Sequence, residues 1–192
     1  MDNEQREEAR FSAYFEYQGE RVGAERTKDF FWWGRVMEQQ IPRADTFRLE
    51  CLPRDVEGLD SCARFGAAGF ARLRTEGRRE VWTGRLNNDF VHEFLVEPFD
   101  AGGCIKWNSV LLKGDGKTVL ASTSNGGCIG IHGVEEREVK MYANIVRNLR
   151  FSYYYWQEGA NGQEVDFLPI NAFTGDIIDI INAYQRGKKD KP

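Results

Sequence analysis

Six arginines crowd a short stretch of this chain: between residues 64 and 85, Arg64, Arg72, Arg74, Arg78, Arg79 and Arg85 face only Glu76 and Glu80, a local excess of four positive charges. Guanidinium groups are planar, permanently charged and matched in shape to phosphate and carboxylate. Beside an aromatic surface they suit a phosphate, a nucleotide or an acidic protein segment. If 70–75 is a strand, Phe70, Arg72 and Arg74 share one face. The turn that follows then brings Arg78 and Arg79 close, with Trp82 on the returning strand. Arg72, Arg74, Arg78, Arg79 and Trp82 are therefore the candidate anion-binding residues. A general polyanion ligand such as nucleic acid is disfavoured, because 26 Lys+Arg stand against 30 Asp+Glu and the net charge is −4.

A second group of candidates is aromatic. Phe30-Phe31-Trp32-Trp33 and Tyr153-Tyr154-Tyr155-Trp156 are runs of four consecutive aromatic residues, and one small core has difficulty burying every side of such a run. On a strand, Tyr153 and Tyr155 point opposite to Tyr154 and Trp156, so either both faces are covered or one is offered to a partner. Aromatic residues are enriched at interface cores. Trp32, Tyr153, Tyr154, Tyr155 and Trp156 are thus candidates for contact with another protein or a second copy of the chain.

Nucleophilic and metal chemistry have weaker footing. Cys128 follows Gly126-Gly127, with His92 or His132 as a conceivable base. The four cysteines, Cys51, Cys62, Cys104 and Cys128, are scattered without a Cys-x-x-Cys spacing, and read as reduced core thiols. No zinc framework, phosphate loop, dinucleotide glycine fingerprint or Gly-x-Ser-x-Gly elbow occurs. No catalytic residue, metal or cofactor is assigned on this reading. The turn Ser124-Asn125-Gly126-Gly127 faintly resembles the second motif of PilZ domains, and Arg74-Thr75-Glu76-Gly77-Arg78 matches the spacing of their arginine motif. That resemblance would imply cyclic di-GMP as ligand. Ser122 stands where the family carries Asp or Asn, and the two motifs are further apart than in that family.

The elements that must position these residues are legible as patterns. Phe11, Ala13, Phe15 and Tyr17 alternate as a strand over 11–17. Phe30, Trp33 and Met37 recur at helical spacing over 27–40, and Pro42 stops that helix. From 70 to 124 the chain reads as a five-strand antiparallel meander over 70–75, 80–86, 90–97, 105–112 and 117–123, with Gly114-Asp115-Gly116 the clearest hairpin turn. The stretch 58–69 is left unassigned. A helix over 134–149 carries Val134, Met141, Tyr142, Ile145 and Leu149 on one face. Strands over 151–157 and 163–168 bracket Gly159 to Gly162, and a helix over 174–187 closes the chain.

With 192 residues, 41% hydrophobic and 13% aromatic, the composition excludes wholesale disorder and supports one domain. The predicted organisation is a charged segment 1–10, an α+β domain 11–187 with a largely antiparallel meander sheet and about three helices, and a basic tail 188–192. No apolar run approaches the roughly 20 residues that span a bilayer, and the charged start lacks a signal-peptide core, so the expected location is cytoplasmic. The expected function is non-catalytic protein recognition, as in an adaptor, inhibitor or neutralising partner. The alternative is a small-ligand or anion-binding protein, or an enzyme, with an arginine-lined sheet pocket.

Overall fold

Two glycine turns each join a pair of neighbouring strands. Gly77 (φ +64°) joins β-strands Ala71–Glu76 and Arg79–Arg85, and Asp115-Gly116 (φ +50° and +75°) joins Ser109–Gly114 and Lys117–Thr123. Left-handed backbone at the turn matches the right-handed twist of the strands on either side. The computed structural model describes residues 9–19, 30–158 and 164–169. Within them the strands are β1 (Phe11–Tyr17), β2 (Thr46–Cys51), β3 (Ala71–Glu76), β4 (Arg79–Arg85), β5 (Ser109–Gly114), β6 (Lys117–Thr123), β7 (Cys128–Val134), β8 (Phe151–Glu158) and β9 (Glu164–Pro169). They form one nine-stranded sheet in the order β3-β4-β2-β5-β6-β7-β1-β8-β9. Every pairing is antiparallel. The helices are α1 (Trp33–Gln40), α2 (Val56–Ala67), α3 (Asn88–Val96) and α4 (Glu136–Val146). The architecture is α+β with an antiparallel sheet, as the sequence patterns lead one to expect, and it has four helices among the described residues.

The meander itself is corrected in two ways. Residues 90–97, read as a strand, lie largely in α3: Asn87 Oδ1 accepts the Phe90 N–H at 3.0 Å, and Phe90, Glu93 and Phe94 fall on one buried face. A side-chain cap and a three-to-four spacing together outweigh the short alternation of Phe90, His92 and Phe94. Secondly, β2 inserts between β4 and β5, and β1 inserts between β7 and β8. Long connections leave those strand edges unpaired by their sequence neighbours, so distant strands fill them. The unassigned stretch 58–69 lies in α2 and its C-terminal turn, where Gly58 abuts the Lys106 carbonyl and Gly66 abuts the Trp82 ring. The predicted helix 174–187 and the turn 159–162 lie outside the described residues.

All four helices pack on one face of the sheet. That face carries Ala13, Phe15, Phe47, Leu49, Trp82, Leu112, Leu120, Ile129 and Ile131, all buried. Phe90 of α3 stacks on Phe65 of α2 at 3.8 Å between ring centroids and on Phe47 of β2 at 3.9 Å. Tyr142 of α4 meets Phe15 of β1 edge-on at 6.3 Å. Each such large side chain contributes about 1.5–3 kcal/mol by leaving water.

One ion pair lies within this layer. Lys106 Nζ donates to Glu93 Oε1, both side chains being almost wholly buried, and Arg64 Nη2 reaches the same oxygen at 2.9 Å. Burial by itself pushes the Glu93 carboxyl up, but the Lys106 hydrogen bond and the charges of Lys106 and Arg64 outweigh it and hold the group below its ordinary value. Glu93 therefore adds stability above the ordinary carboxylate range, which is lost as pH falls through its folded value. Removing one partner of a buried pair strands the other, which costs about 3–5 kcal/mol. Glu93→Ala is expected to lose stability of that order in urea denaturation at neutral pH; an unchanged midpoint would show that Lys106 finds water instead.

Candidate functional site

Antiparallel register places side chains from different strands shoulder to shoulder, about 4.8 Å apart across the sheet. On the face that none of the described helices covers, Arg72 of β3 stands opposite Thr83 of β4, Thr83 opposite Arg48 of β2, and Arg48 opposite Leu111 of β5. Two residues along each strand, Arg85, Thr46 and Lys113 form a parallel row. With Phe70, Leu86 and Asn87 these rows line a cleft of about 790 Å³. Four cations, Arg48, Arg72, Arg85 and Lys113, line it and no carboxylate does. Arg48 is held from one side by Glu50 at 2.8 Å and Glu76 at 3.0 Å. Those bonds, Glu50 first, raise its proton affinity further. Arg72, Arg85 and Lys113 have no ion-pair partner among the described residues.

Of the predicted anion-binding residues, only Arg72 lines this cleft. Arg74 lies one row away and contacts Glu76 at 3.5 Å, while Arg79 reaches Glu50 at 3.1 Å. Arg78 sits in the β3–β4 turn. Trp82 is corrected: it pairs in register with Leu49 and Leu73, is buried, and lies on the helix-covered face against Gly66. Strand alternation puts it opposite in direction to Arg72 and Arg74. Arg48 and Lys113, which complete the cleft, come from β2 and β5 and carry no local signal that joins them to Arg72.

The aromatic candidates divide by the same alternation. Trp32 is fully buried, and Tyr153 and Tyr155 are each 5% exposed. These three belong to the core, with Trp32 against Phe15 at 5.1 Å and Phe151 at 5.2 Å. They are thereby removed as contact residues for a partner. Tyr154 and Trp156 lie on the helix-free face, half-buried, with their rings stacked at 5.7 Å.

A second cleft, of about 720 Å³, opens on the same sheet face over β6, β7, β1 and β8. Arg10, Arg43, Lys117, His132, Trp156 and Glu158 are among the residues that line it. An irregularity in the β1–β7 register between Phe11 and Ala13 places Ser12 beside both His132 and Gly133. Ser12 Oγ lies 3.0 Å from His132 Nδ1 and donates to Glu158 Oε1 at 2.5 Å. Glu158 Oε1 also accepts the Gly133 N–H at 2.8 Å. Arg43 Nη2 donates to the His132 and Gly133 carbonyls, both at 2.8 Å, and its Nη1 donates to Gln40 Oε1 at 2.6 Å. Gln40 in turn donates to the Tyr142 hydroxyl at 3.0 Å. Burial pushes the Tyr142 hydroxyl up to about 12. Gly133 has φ +64°, and a Cβ there would stand 3.1 Å from Arg43 Nη2, so both backbone and space call for glycine.

The remaining candidates are not assembled. Cys128 and His132 share a face of β7 but stand four residues apart, about 13 Å along a strand. Cys128 lies beside Tyr14 instead, and burial followed by that contact raises the Tyr14 hydroxyl. His92 is exposed on α3, in the helical layer. Arg74 and the turn around Ser124 belong to β3 and the end of β6, four strands apart in the sheet, so the two motifs shared with PilZ domains do not meet. Asn125 holds that turn by donating to Asp55 Oδ1 at 3.2 Å and the Ile105 carbonyl at 3.1 Å. Among the described residues no three His, Cys, Asp or Glu side chains group as metal ligands, and no helix is long and apolar enough to cross a membrane.

No family model, no curated protein and no solved structure matches the chain.

Burial lowers the proton affinity of His132 below its ordinary value of 6.5, Glu158 opposing and Arg43 reinforcing the shift. The unfolded chain then binds the proton more tightly, so stability falls as pH drops from about the ordinary value to the folded one and is level below it. A titration of the ring protons by NMR is expected to give His132 a midpoint below 6.5. A midpoint above that value would mean that Glu158 outweighs burial.

Proposed function

We propose that the protein recognises a small organic anion in the cleft formed by Arg72, Arg85, Arg48 and Lys113. The observation that carries this reading is the lining itself, with four cations and no carboxylate around about 790 Å³. That volume is in the range of small-molecule sites. Phe70, Leu86 and Leu111 supply apolar wall for the body of the ligand, and Thr46, Thr83 and Asn87 supply neutral hydrogen-bonding groups. The role assigned to this cleft is binding, with a phosphate or carboxylate group as the anchor.

Ligand linkage tests it. A ligand at 100 times its Kd adds about 2.7 kcal/mol of stability, which for a domain of this size raises Tm by roughly 5–10 °C. A set of nucleotides, sugar phosphates and dicarboxylates is expected to include compounds that give such a shift, and Arg72→Ala and Lys113→Ala are expected to remove it without lowering the ligand-free Tm. No shift across the set, or a shift that survives both substitutions, would refute the reading.

A second reading, protein recognition or self-association, is favoured by the stacked and half-exposed pair Tyr154 and Trp156 on the same face. It predicts a concentration-dependent dimer in sedimentation velocity that Trp156→Ala dissociates. A monomer at every concentration would exclude self-association through this pair.

A further inference from the structure

The register that builds the first cleft also fixes how its charges are spaced. Across β3, β4, β2 and β5 one row reads Arg72, Thr83, Arg48 and Leu111. Two residues along, the next row reads Arg85, Thr46 and Lys113 on β4, β2 and β5. Phe70 takes the β3 place in that second row: it is the residue before β3, Ala71 pairs with Gly84, and the Phe70 carbonyl abuts Gly84 beside Arg85. Within these eight positions cation and neutral residue alternate both along and across the strands. Like charges directly opposite one another destabilise a sheet. The alternation avoids that by keeping the nearest cations on diagonals, about 8 Å apart at the backbone.

It also sorts the four cations into two pairs, each bracketing a threonine. Arg72 and Arg48 flank Thr83, and Arg85 and Lys113 flank Thr46. All six line the one cleft. A phosphate monoester carries a charge of about −1.5 to −2 at neutral pH, which two cations balance, and it offers oxygens to a hydroxyl as well. A carboxylate would leave one cation of each pair uncompensated. Arg48 shares its charge with Glu50 and Glu76 through Nε and Nη2, and its Nη1 has no partner among the described residues. The Thr83 seat is therefore the weaker of the two. Thr46 and Thr83 themselves lie on a diagonal, so the seats are about 8 Å apart. Phe70 and Leu111 stand on opposite sides of the line that joins them, and Phe70 is 44% exposed with no ring contact among the described residues.

We propose that the cleft takes a small molecule with two phosphate groups, one seated at Thr46 and one at Thr83, whose carbon body lies between Phe70 and Leu111. This rests on the anion reading of the cleft and adds to it the number and the spacing of the charged groups. Once one phosphate is seated, the second binds intramolecularly, so a ligand of the right span gains affinity that neither group has alone. Pyrophosphate, whose two phosphorus atoms share one bridging oxygen, is too short to fill both seats.

Isothermal titration calorimetry on the full chain compares fructose 1,6-bisphosphate, fructose 6-phosphate and pyrophosphate in one buffer at physiological salt. The bisphosphate is expected to bind about 10²-fold more tightly than either of the others. Pyrophosphate is the control for charge without span. Arg72→Ala breaks the Thr83 seat and Lys113→Ala the Thr46 seat. Each variant, with an unchanged amide spectrum, is expected to bring the bisphosphate down to the affinity of fructose 6-phosphate for the wild-type chain. Arg74→Ala, one row outside the cleft, is expected to change none of the three. Fructose 6-phosphate or pyrophosphate binding as tightly as the bisphosphate would overturn the two-seat inference and leave the anion reading standing. Failure of all three to bind would overturn it as well, and the wider set of anions above then decides the anion reading by itself.

Discussion

A β-strand offers alternate side chains to opposite faces, and among the described residues helices cover only one of them. Every packing choice on the covered side therefore fixes what stands on the bare side. Phe47, Leu49 and Cys51 of β2 point into the core, so Thr46, Arg48 and Glu50 must point out. The same necessity sends Trp82 inward and Thr83 and Arg85 outward on β4. A slip of one residue in any of these strands would exchange the two sets, burying arginine and exposing tryptophan, which is why the register is strongly specified. Hydrophobic burial on one face thus positions the charged groups on the other.

Charge is distributed along the strands as well as across them. At one end of β2–β4, Glu50 and Glu76 pair with Arg48, Arg74 and Arg79. At the other end Arg72, Arg85 and Lys113 have no such partner among the described residues, and Arg48 bridges the two regions. A chain with a net charge of −4 can hold a basic site of this kind because, at physiological salt, exposed charges further apart than about 8–10 Å are largely screened from one another. The buried Glu93–Lys106 pair belongs to a different regime, where desolvation makes pairing obligatory.

The second cleft depends on a departure from regular pairing. The register irregularity in β1 and the left-handed Gly133 turn the 133 N–H toward Glu158 while leaving His132 on the bare face. Arg43 is reached through the 3₁₀ turn Ile41–Arg43 that ends α1, so the helix-covered layer contributes a clamp to a site on the opposite face. Gln40 and Tyr142 carry the same network into the core. Bulges near a polar cluster re-aim side chains in this way, and a regular ladder would have paired Gly133 N–H with backbone instead.

Much of the framework could be read directly from the chain. The alternation of Phe11 to Tyr17, the turn at Gly114 to Gly116, the stop at Pro42 and the helical face around Tyr142 are all local patterns, because periods of 2 and 3.6 residues are properties of a segment by itself. The excess of arginine between 64 and 85 was equally visible. α3 departs from the strand expected there because Phe90, His92 and Phe94 satisfy a strand pattern, and only the Asn87 cap and burial against Phe65 decide for a helix. The sites themselves were decided by tertiary structure alone. Ser12 is separated from His132 by 120 positions and from Glu158 by 146, and Arg72 meets Arg48 only because β2 inserts beside β4. Residue types along a strand follow from local geometry, but which strands become neighbours, and in what register, follows from burying all the apolar faces at once.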